Sequence, residues 1–168
     1  QNIEDTDFEQ IFENDTKKAK YKVYKNKQKV QKYYITSNFA LAENLGQVSP
    51  ILKQSNNKPE TGVILEQDPE QILGENSKYS IKQIIQKPSY QKVEISSNNA
   101  ALLVSNESYY PGWIAKIDGK ETKIFPANIN SRAIVIPAGN HIVEFSYESK
   151  TFTYSAVLSV VALLATLL

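Results

Sequence analysis

Alternation of apolar and polar side chains, with a period of two residues, is the feature that most constrains the fold of this chain. Between residues 141 and 148, polar side chains occupy most of the positions between apolar or aromatic ones. A strand with one buried and one wet face has this period, whereas a helix repeats every 3.6 residues. The same alternation, or a short apolar run bounded by turn residues, recurs at 20–24, 30–36, 62–66, 78–87, 90–96, 100–105, 113–117, 120–125 and 133–136. Such short strands predict an antiparallel β-sandwich, jelly-roll-like in arrangement.

Turn and cap residues mark where these strands begin and end. The pair Asp118-Gly119 supplies the positive φ angles of a two-residue hairpin turn. After Pro137, Gly139 is expected in a left-handed conformation that closes the turn before the last strand. Ser49 as N-cap, with Pro50 at the first helical position, predicts one short helix that runs through Gln54 until Asn56-Asn57.

The N-terminal segment has two readings. Thr6 and Glu9 form a capping box that favours a helix, whereas residues 8–12 and 21–24 have the alternation of a β-hairpin, and the residues alone leave both open. This segment contains three acidic residues, Asp5, Asp7 and Glu9. It lacks the glycine and the distal glutamate that a calcium-binding loop requires. No metal site is therefore expected.

Composition excludes several classes of function. The chain has 168 residues and a net charge of +1, so no electrostatic attraction for nucleic acid is expected. It contains no Cys, which excludes thiol catalysis, disulfides and cysteine metal sites. No cofactor is indicated. Because the chain has no Met and no leader, we expect it to be a piece of a longer polypeptide.

The C-terminal tail predicts contact with a membrane. From Thr151 to Leu168 there is no charged residue, and the polar ones are mainly Ser and Thr, whose hydroxyls a helix can satisfy itself. A spanning helix needs about 20 apolar residues, so residues 151–168 are expected to be the start of a truncated transmembrane helix. Residues 1–150 would form the extracytoplasmic β domain. A buried core helix and a lipid-anchor signal are the alternatives.

A motif rich in aromatic side chains follows the strand at 100–105. Tyr109 and Tyr110 have two possible roles, stacking on a sugar ring or packing in the core, and Trp113 is expected in the core. Pro111 and Gly112 are expected to bend the chain into the next strand. The residues expected to build this structural motif are Pro111, Gly112, Trp113, Asp118, Gly119, Pro137, Gly139 and His141.

Arg132, the only Arg of the chain, also has two possible roles. It can clamp a phosphate or carboxylate of a ligand, or it can serve the fold, bound to strand-end carbonyls or paired with one of three acidic residues, Asp118, Glu121 or Glu144. His141 is expected to be structural, and Asn128 to fix a turn. The tentative ligand-binding residues are Tyr109, Tyr110, Asn128 and Arg132, and no catalytic set is recognised.

These motifs resemble the C-terminal extracytoplasmic domain of the YfhO family, which are bacterial polytopic membrane proteins. The resemblance covers roughly residue 8 to the end and is most specific in segments 102–113, 118–120, 127–128, 132–133, 137–141 and 143–147. The family often carries a Leu-Pro-Arg-aromatic run where this chain has Val30-Gln31-Lys32-Tyr33. The resemblance also favours strands at the N-terminus.

The resemblance implies a parent protein similar to class C glycosyltransferases, which use a polyprenyl-phosphate sugar on the outer face of the bacterial cell membrane. Their catalytic acidic residues lie in loops between early membrane spans, so this chain would not be catalytic by itself. Its expected role is an accessory one in glycosylation of cell-envelope polymers, positioning acceptor glycan or polyprenyl-phosphate sugar. Its expected partners are the bilayer, the remaining membrane part of the parent and that glycan. The alternatives are a structural module that packs on its own membrane bundle, or a surface-anchored adhesion domain.

Overall fold

The fold was analysed in a computed structural model, which describes residues 8–16, 19–27, 31–54, 62–70, 73–74 and 78–166. The protein is mainly β, as the alternation predicts, with thirteen strands and two helices in those ranges. The chain divides into two compact units, residues 1–31 and residues 32–168. The predicted division at residue 150 stays a prediction.

The first unit contains a β-hairpin. Strands β1 (Phe8–Asp15) and β2 (Lys20–Asn26) pair antiparallel, with an irregularity in register between Gln10 and Phe12. The hairpin reading is therefore confirmed over the described residues. A ring contact across the two strands supports the hairpin, because the centroids of Phe12 and Tyr21 are 6.0 Å apart. The other residues of the helical and calcium readings, Asp5, Thr6 and Asp7, lie outside the described residues.

The second unit contains two larger sheets and two helices. Its elements are β3 (Tyr33–Thr36), β4 (Phe39–Leu41), α1 (Leu45–Gln54), β5 (Val63–Leu65), β6 (Tyr79–Lys87), β7 (Tyr90–Ser97), β8 (Ala101–Ser105), β9 (Trp113–Ile117), β10 (Lys120–Thr122), β11 (Phe125–Ala127), β12 (Ser131–Ile136), β13 (Gly139–Tyr147) and α2 (Lys150–Thr166). One sheet has the order β10-β9-β13-β7-β6, and the other has the order β3-β8-β12-β11-β5-β4. Neighbouring strands are antiparallel except β4 and β5, which are parallel.

Two predictions about the strands were incomplete or wrong. The return strand predicted at 120–125 is not one strand, because β10 pairs with β9 in the five-stranded sheet whereas β11 pairs with β12 in the six-stranded sheet. Residues 123–124 carry the chain from one sheet to the other. Strand β4 was missed because three residues are too few to establish a period.

The two sheets enclose a shared core. It is formed by alternate side chains of both sheets: Tyr33, Ile35, Val93, Ile95, Ala101, Leu103, Ala115, Ile134, Ile136, Val143 and Phe145. The six-stranded sheet buries its other face as well, in a second cluster that includes Leu102, Val104 and Val135. Burial on both faces explains why β8 and most of β12 are uninterrupted apolar runs.

Helix α1 begins four residues before the predicted N-cap Ser49, so that prediction was wrong. The Gln47 side chain accepts a hydrogen bond from the Glu43 N–H at 2.9 Å, and the Gln47 N–H donates to the Asn44 carbonyl. The Gln47 side chain thereby satisfies a main-chain donor just before the start of the helix. Pro50 then lies inside the helix, whose Val48 packs with Ala42 and Ile64.

Helix α2 leaves β13 after two connecting residues and exposes large apolar side chains. Tyr154 is 72 % exposed and Leu158 is 70 % exposed, and Val160, Leu163 and Leu164 are exposed too. Within the described ranges, neither helix combines the length and the apolar character that crossing a bilayer requires. The predicted C-terminal helix is present, and its entry into a membrane stays a prediction.

We expect a chain ending at Ser149 to unfold at the same temperature as the full chain. The physical reason is that the exposed side chains of α2 bury little surface against the sheets. Thermal melts followed by circular dichroism test this expectation. A lower or less cooperative transition in the shortened chain would show that α2 completes the core.

Candidate functional site

The loop between β8 and β9 carries two exposed tyrosines. The Tyr109 N–H donates to the Asn130 carbonyl at 2.8 Å, and the Asn106 N–H donates to the Lys32 carbonyl at 2.9 Å. These bonds fasten the loop to β3 and to the turn between β11 and β12. On this support Tyr110 is 61 % exposed and Tyr109 is 39 % exposed. Both side chains can therefore meet a ligand.

Gly112 makes the bend that was predicted for Pro111 and Gly112. Its φ angle is +105°, and a Cβ there would lie 2.9 Å from the Glu148 carbonyl oxygen. Only Gly fits such a position without strain. The Glu148 N–H donates to the Gly112 carbonyl at 2.8 Å, which brings the loop against the end of β13. The bend thereby aligns Trp113 opposite Tyr147 in the sheet.

Aromatic rings continue from this exposed loop into the core. The Tyr110 and Tyr147 centroids are 6.4 Å apart, and the Tyr147 and Trp113 centroids are 5.6 Å apart in an edge-to-face contact. Trp113 is partly buried and packs against the core cluster, as expected. These distances are those at which aromatic pairs attract one another.

Arg132 lies at the inner end of this row and has no exposed surface. Its Cζ is 3.8 Å from the centroid of the Trp113 ring and 4.8 Å from that of Phe145. The guanidinium therefore lies against two aromatic rings, where the cation–π attraction partly replaces its hydration. Burial still lowers the pKa of Arg132, although the charge of Glu107 opposes that change.

Glu107 is the carboxylate that neutralises Arg132. Arg132 Nη2 donates to Glu107 Oε2 at 3.0 Å and to Gln91 Oε1 at 2.7 Å. Lys32 forms an ion pair with Glu107, and the amides of Gln91 and Gln86 donate to it. Burial opposes ionisation of Glu107, but the hydrogen bonds from Lys32 and Gln91 and the two positive charges hold its pKa below the ordinary value. The expected partners of Arg132, Asp118, Glu121 or Glu144, were wrong.

These polar groups close one end of the core between the sheets. Tyr33, Ser105 and Arg132 lie in register across β3, β8 and β12. The Tyr33 hydroxyl donates to Gln91 Oε1 at 2.7 Å, and burial, followed by the Glu107 charge, raises the pKa of Tyr33 to about 12. Arg132 Nε and Nη1 are buried and have no hydrogen-bond partner among the described residues.

Sequence reasoning found Arg132 but missed Glu107, Lys32, Gln91 and Tyr33. The available signal was Glu107, which lies inside the aromatic motif close to β8, because a lone arginine in a β core needs a carboxylate nearby. Because Arg132 has no exposed surface, a surface ligand would meet the side chains around it first. Its ligand-binding role stays a prediction.

Asn128 occupies the turn between β11 and β12 with a φ angle of +48°. Its side-chain oxygen accepts from the Ile64 N–H at 2.9 Å, and its amide donates to the Tyr34 hydroxyl at 3.0 Å. The side chain thus ties the turn to β5 and β3, in the way predicted for a turn-fixing residue. Both the oxygen and the nitrogen of the Asn128 side chain form hydrogen bonds within the fold. Contact of Asn128 with a ligand also stays a prediction.

His141 and Asp118 clamp two turns together at the far end of the five-stranded sheet. Asp118 and Gly119 have φ angles of +50° and +81°, as the predicted hairpin turn requires, and Gly139 has a φ of +125°. His141 Nδ1 is 2.6 Å from Asp118 Oδ2, and Nε2 is 3.2 Å from the Ala138 carbonyl oxygen. Both ring nitrogens face acceptors, which favours the doubly protonated ring. The hydrogen bond to Asp118 accordingly raises the pKa of His141.

A pocket of about 270 Å³ lies elsewhere, between α1 and the β4–β5 edge. It is lined by Ser37, Asn38, Phe39, Ala40, Ile51, Gly62, Val63 and Ile64, and carries no charged side chain. Among the described residues, no group of three or more His, Asp or Glu side chains could hold a metal ion. The β8–β9 loop with Tyr109 and Tyr110, together with Arg132 and Glu107 beneath it, is therefore the site best suited to contact a partner.

Comparison of the chain with protein-family models, with curated proteins and with solved structures finds no match.

We expect Glu107→Ala to lower the free energy of unfolding by about 3–5 kcal/mol, because it leaves the Arg132 cation buried without its carboxylate. Arg132→Met should cost less, since methionine can pack against the same rings and Glu107 keeps Lys32. Urea titrations followed by Trp113 fluorescence measure both. Glu94→Ala, which removes an exposed partner of Lys82, is the control and should cost about 0–1 kcal/mol. A smaller loss for Glu107→Ala than for Arg132→Met would contradict this account of the pair.

We expect stability to decrease as pH rises above about 6.5, because the pKa of His141 is raised in the folded state. The contribution of the clamp is complete below that pH and is lost as pH rises through the folded pKa. His141 is the only histidine, so His141→Gln should abolish this dependence. Melting temperatures of both proteins between pH 6 and 9 provide the measurement, and a dependence that survives the substitution would exclude the clamp as its source.

Proposed function

We propose that this chain is a non-catalytic β domain held at a bacterial membrane by α2, on the extracytoplasmic side. In this proposal it serves as the accessory domain of a protein similar to class C glycosyltransferases. The observation that carries the proposal is the exposure of apolar side chains along α2. The proposal depends on α2 and on the exposed tyrosines.

Helix α2 is apolar around most of its circumference, and on the remaining side the Ser159 hydroxyl donates to the Ser155 carbonyl. At 100° per residue, Tyr154 and Leu158 point to one side, and Val160, Leu163 and Leu164 point to the opposite and flanking sides. A helix that is apolar all round is stable in a protein core or in lipid, and water is unfavourable for it. The 17 residues of α2 span about 25 Å, whereas the hydrocarbon core is about 30 Å thick. We therefore propose that α2 enters the bilayer.

The accessory role is proposed for the β8–β9 loop of a jelly-roll-like sandwich. The exposed rings of Tyr109 and Tyr110 offer an apolar face and a hydroxyl, which suit the C–H groups and hydroxyls of a pyranose. Arg132 and Asn128 would lie beneath the two rings. Arg132 would affect the ligand by holding Glu107 and Lys32 in place, and Asn128 by fixing the turn that supports the loop. The ligand would be an acceptor glycan or the polyprenyl-phosphate sugar.

A second candidate is an interaction module that packs on the membrane bundle of its own parent. The same exposed face of α2 supports it, because neighbouring helices can cover apolar side chains as well as lipid does. The two candidates differ in whether the chain binds a sugar lipid. Only the accessory domain should bind a polyprenyl-phosphate sugar in lipid.

We expect the full chain to float with phosphatidylcholine–phosphatidylglycerol vesicles and Leu158→Asp to reduce the floating fraction several-fold, because a carboxylate on α2 opposes insertion. Leu41→Asp, which places the same charge on the exposed side chain of β4, is the matched control and should leave flotation unchanged. Equal flotation of the two variants would overturn membrane attachment through α2.

The second half of this experiment uses vesicles that contain a polyprenyl-phosphate sugar. The added lipid should increase binding of the full chain, and Tyr110→Ala should remove that increase while the melting temperature is kept. If the sugar lipid gives no increase for the unsubstituted chain, the accessory role fails and the packing module remains.

A further inference from the structure

We propose that the end of the second unit that carries Tyr109, Tyr110 and Tyr147, here called the tyrosine edge, lies in the lipid headgroup layer. This inference rests on the proposed entry of α2 into the bilayer. It adds the orientation of the second unit relative to the membrane. It also names the polar surface of the membrane as the partner of the tyrosine edge.

The short connection between β13 and α2 limits how far the edge can lie from the membrane. Strand β13 ends at Tyr147 and α2 begins at Lys150, three residue steps later. Because a residue step is at most ~3.6 Å, the two points are no more than about 11 Å apart. The Tyr110 ring centroid is 6.4 Å from that of Tyr147. The edge therefore stays close to wherever the helix begins.

Main-chain hydrogen bonds keep the loop from swinging away from the helix. The Glu148 N–H, in the connection itself, donates to the Gly112 carbonyl at 2.8 Å. The Tyr147 N–H donates to the Ser89 carbonyl, in the turn between β6 and β7, at 2.9 Å. The connection is thus tied on one side to the tyrosine loop and on the other to the neighbouring hairpin.

The chemistry of the edge suits the boundary between water and lipid. Tyrosine is enriched at membrane interfaces because its ring is apolar and its hydroxyl is polar. At this end of the sheet Lys87 and Glu148 are both exposed, and their opposite charges offset one another. The aromatic rings thus contribute an attraction that added salt should change little.

Tyr79 provides a matched position at the other end of the same sheet. It is 46 % exposed and pairs in register with Ser97, which faces Gly139 at the start of β13. From Gly139 to Tyr147 the strand rises by about 26 Å. In the proposed orientation Tyr79 lies well outside the headgroup layer, in water.

A single cysteine at each position tests the inference on the full chain. The chain has no Cys, so Tyr110→Cys and Tyr79→Cys can each be labelled with one fluorophore, and both positions are exposed enough to accept it. The labelled proteins are bound to phosphatidylcholine–phosphatidylglycerol vesicles whose headgroups carry a nitroxide quencher. Circular dichroism confirms that each labelled protein is folded, and flotation confirms that it is bound.

We expect quenching of the probe at position 110 to be several-fold stronger than at position 79, at low and at high salt. Equal quenching of the two bound proteins would overturn the orientation while leaving membrane attachment intact. A probe at 110 that moves to an apolar environment without being quenched would show that protein covers the edge, which also overturns the inference. Failure of both proteins to float would instead overturn the proposed function.

Native Trp113 supplies a second measurement that needs no substitution. It lies next to Tyr147 at the same end of the sheet and is the only tryptophan. Its fluorescence should be quenched by the headgroup nitroxide when the full chain binds vesicles, and less than the exposed probe at 110. Fluorescence that the bound nitroxide leaves unchanged would contradict the proposed position of the edge.

Discussion

The guanidinium of Arg132 has no exposed surface, and a cation in that position must find inside the protein the partners that water would supply. Two aromatic rings lie against it, and one carboxylate and one amide accept from Nη2. Each of these groups comes from a different strand or loop. The requirement to neutralise one cation thereby fixes how the two sheets, the β8–β9 loop and β3 meet at this end of the core.

The same end of the second unit joins the two features from which we infer its function. Trp113 covers Arg132 on one side and contacts Tyr147 on the other, and Tyr147 contacts the exposed Tyr110. The charged interior and the aromatic exterior are therefore parts of one packed row. Because α2 begins three residues after Tyr147, any partner of α2 is brought close to that row.

The sequence predicted the local structure well and the long-range pairings poorly. Alternation placed β7, β9 and β13, and the Asp118-Gly119 pair placed the turn after β9, because each depends on neighbours along the chain. The crossing between β10 and β11 and the pairing of Arg132 with Glu107 depend on which strands lie side by side. Helix α1 shows that a local signal can also mislead, since Ser49 and Pro50 lie inside a helix that begins at Leu45.

Strand β8 has a consequence for how the protein reaches its native state. It lies between β3 and β12, one far earlier and one well later in the chain, and each must arrive before its backbone groups are paired. Pairings between distant segments form slowly, on the scale of milliseconds to seconds for β proteins. Until then, its run of Ala101-Leu102-Leu103-Val104 carries no charge to discourage association with another chain. The time that β3 and β12 take to pair with β8 therefore sets how long each newly made molecule is at risk of aggregation.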